Sequence, residues 1–154
     1  MHQFDNVTSI LFVVDISSYD QVSLDSSANL LAKALELFDW VANSQWFYWC
    51  SIILLLDKVD LFKQKLATSP LDHYFHDYSG GTDFTSAADY ILCRFSSMST
   101  RENLYTHFSD TNTLRFVFAA IEDTILNVAE KFPAHVVSGL GVPRREAAAA
   151  YEKL

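Results

Sequence analysis

Two carboxylates flank an ammonium in Asp57-Lys58-Val59-Asp60, and the run before them, Ser51-Ile-Ile-Leu-Leu-Leu56, is apolar after its first residue. Such a run suits a parallel strand covered on both faces. The motif then falls at the carboxyl end of that strand, where open α/β sheets place their ligands. Ionised carboxylates accept hydrogen bonds and an ammonium donates them, so this loop is the first candidate for a polar ligand. Other constellations are weaker. His73, His76 and Asp77 have a spacing that can bind a metal on a helix, but Pro70 and Gly80 frame them as a solvated loop. Asp15, Asp20 and Asp25 could gather around a cation, and read more simply as a solvated acidic loop. Asp77-Tyr-Ser-Gly80 matches Asp-x-x-Gly by chance. Cys50 and Cys93, the only cysteines, each lie in an apolar context and read as reduced core thiols, with no His or Asn pairing for nucleophilic chemistry.

The elements that would position the Asp57–Asp60 loop are legible as periodicities. Ser9 to Val14 is β-branched and aromatic, a buried strand, and the polar stretch Asp15 to Asp20 follows at its carboxyl end. Asn29 to Asn43 has helical spacing, with Leu30, Leu31, Ala34, Leu37, Phe38 and Val41 on one apolar stripe and Asp25 or Ser26 as the expected cap. An aromatic loop, Ser44 to Cys50, leads into the central strand. Leu61 to Leu66 is a short helix stopped by Ser69-Pro70, and Leu71 to Phe84 is a loop with Gly80-Gly81. Thr85 to Phe95 is a helix capped by Thr85 or Asp83, and Leu104 to Phe108 is a third strand. Thr113 to Lys131 is a long helix with a broad apolar face, ended by Pro133. The last stretch, 129–154, is Ala-rich toward its end and is expected to be poorly ordered.

The 154 residues suffice for one domain, and a hydrophobic content of 50% excludes a disordered chain. A net charge of −8 argues against a general nucleic-acid binder, which needs a basic face. No apolar run reaches the length of a membrane span, and the N-terminal residues do not read as a signal peptide. A cytoplasmic chain, free or peripheral to the plasma membrane, is expected.

Segments spread along the chain resemble one family in one order. They are Val7 to Gln21, Leu37-Phe38-Asp39, Trp46-Phe47, Ser51 to Phe62, Ser69-Pro70-Leu71, Ala87 to Phe95, Tyr105 to Phe108 and Phe116-Val-Phe118. The resemblance is to the C-terminal half of the Ras-like domain of heterotrimeric G-protein α subunits, from about His2 to Asn127. It implies an α/β architecture, a partial Ras-like P-loop NTPase fold of three parallel strands with flanking helices. Residues 1–128 would be that half-domain and 129–154 a divergent tail. It implies guanine-nucleotide binding (GTP or GDP, with magnesium), GTPase signalling downstream of receptors, and βγ subunits, receptor and effector as partners.

The resemblance also assigns the base-reading residues. The family carries Asn-Lys-x-Asp where Asp57-Lys58-Val59-Asp60 stands. Asp60 would accept hydrogen bonds from the guanine N1–H and exocyclic amine, and Lys58 would lay its stem along the base. Asp57 replaces the amide and offers only acceptors while ionised, which is repulsive toward the base's own acceptor edge. The second base loop follows Phe108, where Ser109-Asp110-Thr111 is shorter than the family pattern and Ser109 is the nearest substitute for its alanine. These residues contain no Gly-x-x-x-x-Gly-Lys-Ser/Thr, no magnesium-holding switch threonine and no cis arginine. GTP hydrolysis by these residues alone is therefore not expected. The competing expectation is an inactive truncated paralogue, or a non-enzymatic interaction module using Asn29–Asn43 and Trp46–Trp49. Without a pairing strand beyond Ser9–Val14, that segment would be an aggregation-prone edge.

Overall fold

The computed structural model describes residues 7–112, 118–119 and 121–126. Its sheet has three strands in the order β1-β2-β3, all parallel. They are β1 (Ser9–Asp15), β2 (Ser51–Asp57) and β3 (Leu104–Phe108). Ile52 stands beside Ile10 on one side and Leu104 on the other, and Leu56 beside Val14 and Phe108. β2 is buried from Ser51 to Leu56 because it pairs on both edges and is covered on both faces. Side chains alternate along a strand. Ile52, Leu54 and Leu56 therefore enter the main core, while Ile53 and Leu55 point to the opposite face against Ile121 and the half-buried Tyr105 and Ile125.

Three helices build the main core against that first face: α1 (Leu30–Asn43), α2 (Val59–Leu66) and α3 (Phe84–Met98). Phe38 of α1 stands edge-to-face against Phe12 of β1 at 5.2 Å and Phe95 of α3 at 5.3 Å. Such aromatic geometry adds about 0.5–1.5 kcal/mol to simple burial. A 3-10 turn over Ile16–Asp20 follows β1 and buries Tyr19, whose ring meets Phe62 of α2. The Tyr19 hydroxyl donates to the Ser69 carbonyl. Two further 3-10 turns, Gln45–Phe47 and Leu71–His73, lie in the connections.

Several expectations are met and several are adjusted. β3 has the bounds expected of it, and Asp83 caps α3 by accepting from the Ser86 N–H at 2.8 Å. α1 is capped by Asn29, which accepts from the Ala32 N–H, and not by Asp25 or Ser26. Its buried face is Leu31, Leu35, Phe38 and Ala42, rotated from the predicted stripe so that Leu37 is exposed. α2 begins at Val59, earlier than Leu61, because Lys58 turns the chain directly into the helix. β1 is not buried throughout: Leu11 and Val13 share one face and are 41% and 54% exposed. Beyond β3, residues 118–119 and 121–126 are helical, with Ile121 buried and Phe118 and Leu126 exposed. The predicted ends of that helix at Thr113 and Lys131, its stop at Pro133 and the 129–154 tail lie outside the described residues. Among the described residues no helix is long and apolar enough to cross a membrane.

Candidate functional site

The parallel register brings the carboxyl ends of all three strands to one rim. Asp15 closes β1 beside Asp57 at the end of β2, and Phe108 closes β3 beside Leu56. Asp15 is fixed from its own side by the turn it caps. Its Oδ1 accepts from the Ser17 N–H at 3.0 Å and the Ser17 hydroxyl at 2.6 Å, and its carbonyl accepts from the Ser18 hydroxyl at 2.7 Å. Lys58 reaches across from β2 and donates to Asp15 Oδ2 at 2.6 Å. Burial alone would raise the Asp15 carboxyl. The hydrogen bonds from Lys58 and Ser17 outweigh it and hold the group below the usual carboxylate range. The same hydrogen bond to Asp15, reinforced by that charge, raises Lys58. The pair is partly exposed, so its contribution to stability is modest.

Lys58 carries a conformational constraint as well. Its φ of 61° and ψ of 42° lie in the left-handed region, where a residue with a Cβ is disfavoured. That single residue lets the chain leave β2 and enter α2 without a connecting loop. It sits at the N-cap position with no side-chain cap, since an ammonium has no acceptor to offer. Asp60 then falls in the first turn of α2, where a carboxylate is favoured by the helix N-terminus.

The second loop is zipped to the first. The buried Ser109 donates its N–H to the Leu56 carbonyl at 2.9 Å, accepts the Val59 N–H at 3.0 Å, and donates its hydroxyl to Asp57 Oδ1 at 2.6 Å. Two residues on, Thr111 donates its N–H to Asp60 Oδ1 at 3.2 Å and its hydroxyl to Asp60 Oδ2. These bonds from Thr111, the hydroxyl first, lower the Asp60 carboxyl below its ordinary value. Each carboxylate oxygen has a second lone-pair site, so Asp60 retains capacity to accept from a ligand. The structure therefore gathers Asp57, Lys58, Asp60 and Ser109 at one rim, crossed by ion pair and hydrogen bonds.

Sequence reasoning missed Asp15 and Thr111 as members of this cluster. Asp15 was legible only as an acidic residue ending a strand, and its pairing with Lys58 needed the parallel register. The other constellations do not assemble. Asp20 pairs with Lys65 at 2.7 Å, and Asp15 is held by Lys58, so the acidic loop does not converge on a cation. Asp77 is held by the Tyr90 hydroxyl and Arg94, and His76 Nδ1 meets the Asp72 carbonyl. Among the described residues no group of three or more His, Cys, Asp and Glu could hold a metal ion. Both cysteines are free. Cys50 is buried, and burial raises its thiol, whereas Cys93 is exposed and not a core thiol.

Comparison with known proteins agrees with this architecture. The family model described as G-protein alpha subunit matches residues 1–125. The chain is 54% identical over 136 residues to the guanine nucleotide-binding protein alpha-3 subunit of Neurospora crassa, covering 85% of this chain and 38% of that protein. It is 51% identical over 132 residues to the G-protein complex alpha subunit gpaA of Aspergillus fumigatus, covering 82% of this chain and 37% of the relative. The guanine nucleotide-binding protein alpha-1 subunit of Mycosarcoma maydis is 49% identical over 134 residues. The chain thus spans well under half the length of the curated relatives it matches. With a family match over most of its residues and about half of them identical to these relatives, the chain belongs to the G-protein alpha subunit family.

Proposed function

We propose that the rim formed by Asp57, Lys58, Asp60 and Ser109 is the base-reading part of a guanine-nucleotide site. Residues 1–128 would be the C-terminal half of a Ras-like signalling domain. The observation that carries this reading is the joining of the loops after β2 and β3 by Ser109 and Thr111, which aligns the Asp60 carboxylate at the strand ends. Asp60 would accept the two donors on guanine's N1 and exocyclic amine. Lys58, anchored to Asp15, would offer its aliphatic stem to the face of the base. Ser109 already engages Asp57, which turns one oxygen of that carboxylate away from a repulsive encounter with the base. GTP or GDP is the ligand class. Contacts to phosphate and magnesium, and any coupling to βγ subunits, receptor or effector at the cytoplasmic face of a membrane, are proposed for the family's whole assembly and are not assigned to residues here.

The test is anisotropy of a fluorescent GTP analogue on the purified chain, with and without magnesium. It is repeated with Asp60→Asn and with the xanthine counterpart of the nucleotide. Replacing the carboxylate by an amide removes one acceptor and adds a donor, which suits the C2 carbonyl of xanthine. Guanine affinity should fall at least about tenfold, the scale of a lost charge-assisted contact, while xanthine affinity rises. Equal guanine binding by the parent chain and Asp60→Asn would overturn the assignment.

A further inference from the structure

At β1 the sheet ends in an open edge. Among the described residues β1 pairs with β2 alone. The Ser51 N–H donates to the Thr8 carbonyl at 3.0 Å, and the register then runs unbroken from Ser9 beside Ser51 to Asp15 beside Asp57. Backbone groups alternate between the two edges of a strand, so Ile10, Phe12 and Val14 turn theirs toward β2. Ser9, Leu11 and Val13 turn theirs outward, where no described strand meets them. The side chains of Leu11 and Val13 stand on one face and are exposed, and Phe12 on the other face is only half-buried against Phe38. Edge strands are ordinarily blunted by a lysine, a proline, a bulge or an inward-pointing charge. Ser9-Ile-Leu-Phe-Val-Val14 contains no such residue, and its pairing with β2 has no bulge. Asp15, the charge that ends the strand, is turned away to Ser17 and Lys58.

The order of residues along β1 selects what covers it. Leu11 and Val13 lie on either side of Phe12, the middle of this seven-residue strand. A two-fold axis at Phe12 therefore lays a second copy antiparallel along the edge with every residue of the strand paired. Leu11 then faces the second copy's Val13, and Val13 faces its Leu11. Both positions carry outward backbone groups, so each of these pairs exchanges two hydrogen bonds. Their Cβ atoms stand about 4.5–5.5 Å apart, and the exposed apolar side chains cover one another. The two Phe12 rings become neighbours on the other face. Charge favours this direction as well. The axis places Asp15 opposite the uncharged Ser9 of the second copy. Parallel pairing in register would instead set Asp15 beside Asp15, and like charges directly opposite are destabilising. Seven residues a side fall below the about 20–30 of a stable interface, so the dimer is a weak one.

We propose that β1 pairs with β1 of a second copy of this chain, antiparallel about Phe12, joining the two sheets into one. Nothing in this pairing depends on nucleotide binding. The test is sedimentation equilibrium of the full chain from about 5 μM to about 1 mM, the range that populates a weak dimer. A monomer–dimer equilibrium is expected. Val13→Lys and Leu11→Lys each place a cation at a position exposed in the monomer, and near-ultraviolet dichroism like the parent's shows that each variant has folded. Both should weaken the dimer at least about tenfold, because each ammonium would be buried against apolar side chains of the second copy. Disulfide trapping reads the register and needs neither lysine variant. It is done with Cys93→Ser, which removes the exposed native thiol. Leu11→Cys mixed with Val13→Cys should cross-link at least about fivefold more than either alone, because only that pair stands directly opposite. A chain still monomeric at about 1 mM would overturn the proposal. So would growth beyond the dimer, a dimer indifferent to both lysine variants, or Leu11→Cys cross-linking to itself as well as the mixture does. A monomeric chain that pairs only with the remaining portion of a relative's domain would give the edge to that occupant instead.

Discussion

Replacing Lys58 separates two effects that the native residue combines. Its backbone stands at φ 61° and ψ 42°, and its ammonium pairs with Asp15 at 2.6 Å. A residue with a Cβ in the left-handed region costs about 1–2 kcal/mol relative to the right-handed one, and glycine does not incur that cost. The ion pair is partly exposed, with side-chain accessibilities of 41% and 35%, so its net contribution is about 0.2–1 kcal/mol. Lys58→Ala loses the pair and keeps the strain, and should destabilise by about 0.2–1 kcal/mol. Lys58→Gly loses the pair and removes the strain, offset by about 0.4–1 kcal/mol of extra freedom in the unfolded chain. The glycine variant should therefore be more stable than the alanine variant by up to about 1.6 kcal/mol, or up to about 3–6 °C in Tm for a chain of this size. Lys58→Val, β-branched at the same backbone angles, should be the least stable of the three. Urea denaturation of all variants under one buffer, followed by tryptophan fluorescence, measures the order. Alanine or valine variants as stable as the glycine variant would refute the left-handed junction between β2 and α2.

Three further outcomes are expected. Leu54→Ala removes a fully buried side chain at the centre of the sheet and should cost about 2–5 kcal/mol, read by denaturation or, if the variant fails to fold, by loss of near-ultraviolet dichroism. Asp15 has a lowered carboxyl, so its pairing stabilises the fold above the unfolded value of 3.8 and ceases to do so as pH falls through the folded value. Asp15→Asn should therefore flatten the acid limb of a Tm–pH curve, and an unchanged limb would count against the pairing. Burial raises the Tyr19 and Tyr90 phenols from 10.0 to about 12, so both prefer the folded state while protonated. That stabilisation is complete below pH 10 and lost as pH rises toward about 12. Phenolate absorbance should show a late-titrating class that Tyr19→Phe and Tyr90→Phe each diminish.

The strands were the most legible part of the chain because their signals are local. β2 reads as an uninterrupted aliphatic run, and β3 has its observed bounds in the sequence pattern alone. The burial of α1 was not legible. Apolar residues lie nearly all round it, including Leu30, Leu37 and Trp40, so several stripes satisfy helical spacing. Packing against Phe12 and Phe95 selects the one through Leu31, Leu35 and Phe38. Within the candidate site, Asp57, Lys58 and Asp60 declared themselves by adjacency after a strand. Asp15 and Thr111 did not, because their partners are remote in sequence and only the parallel register brings them near. The left-handed turn at Lys58 carried no signal either, since lysine is not a residue that announces such a conformation.

The two-sided burial of β2 has a consequence for the order of folding. Each neighbour of this strand arrives through a crossover, β1 from before α1 and β3 from after α3, so β2 has no hairpin partner close in sequence. Nothing local can protect its amides while the rest of the chain is open, and loop closure must precede every one of its cross-strand bonds. The amides of Ile53 to Leu56 should accordingly exchange with solvent only when the whole domain opens, making this strand the slowest-exchanging segment of the chain.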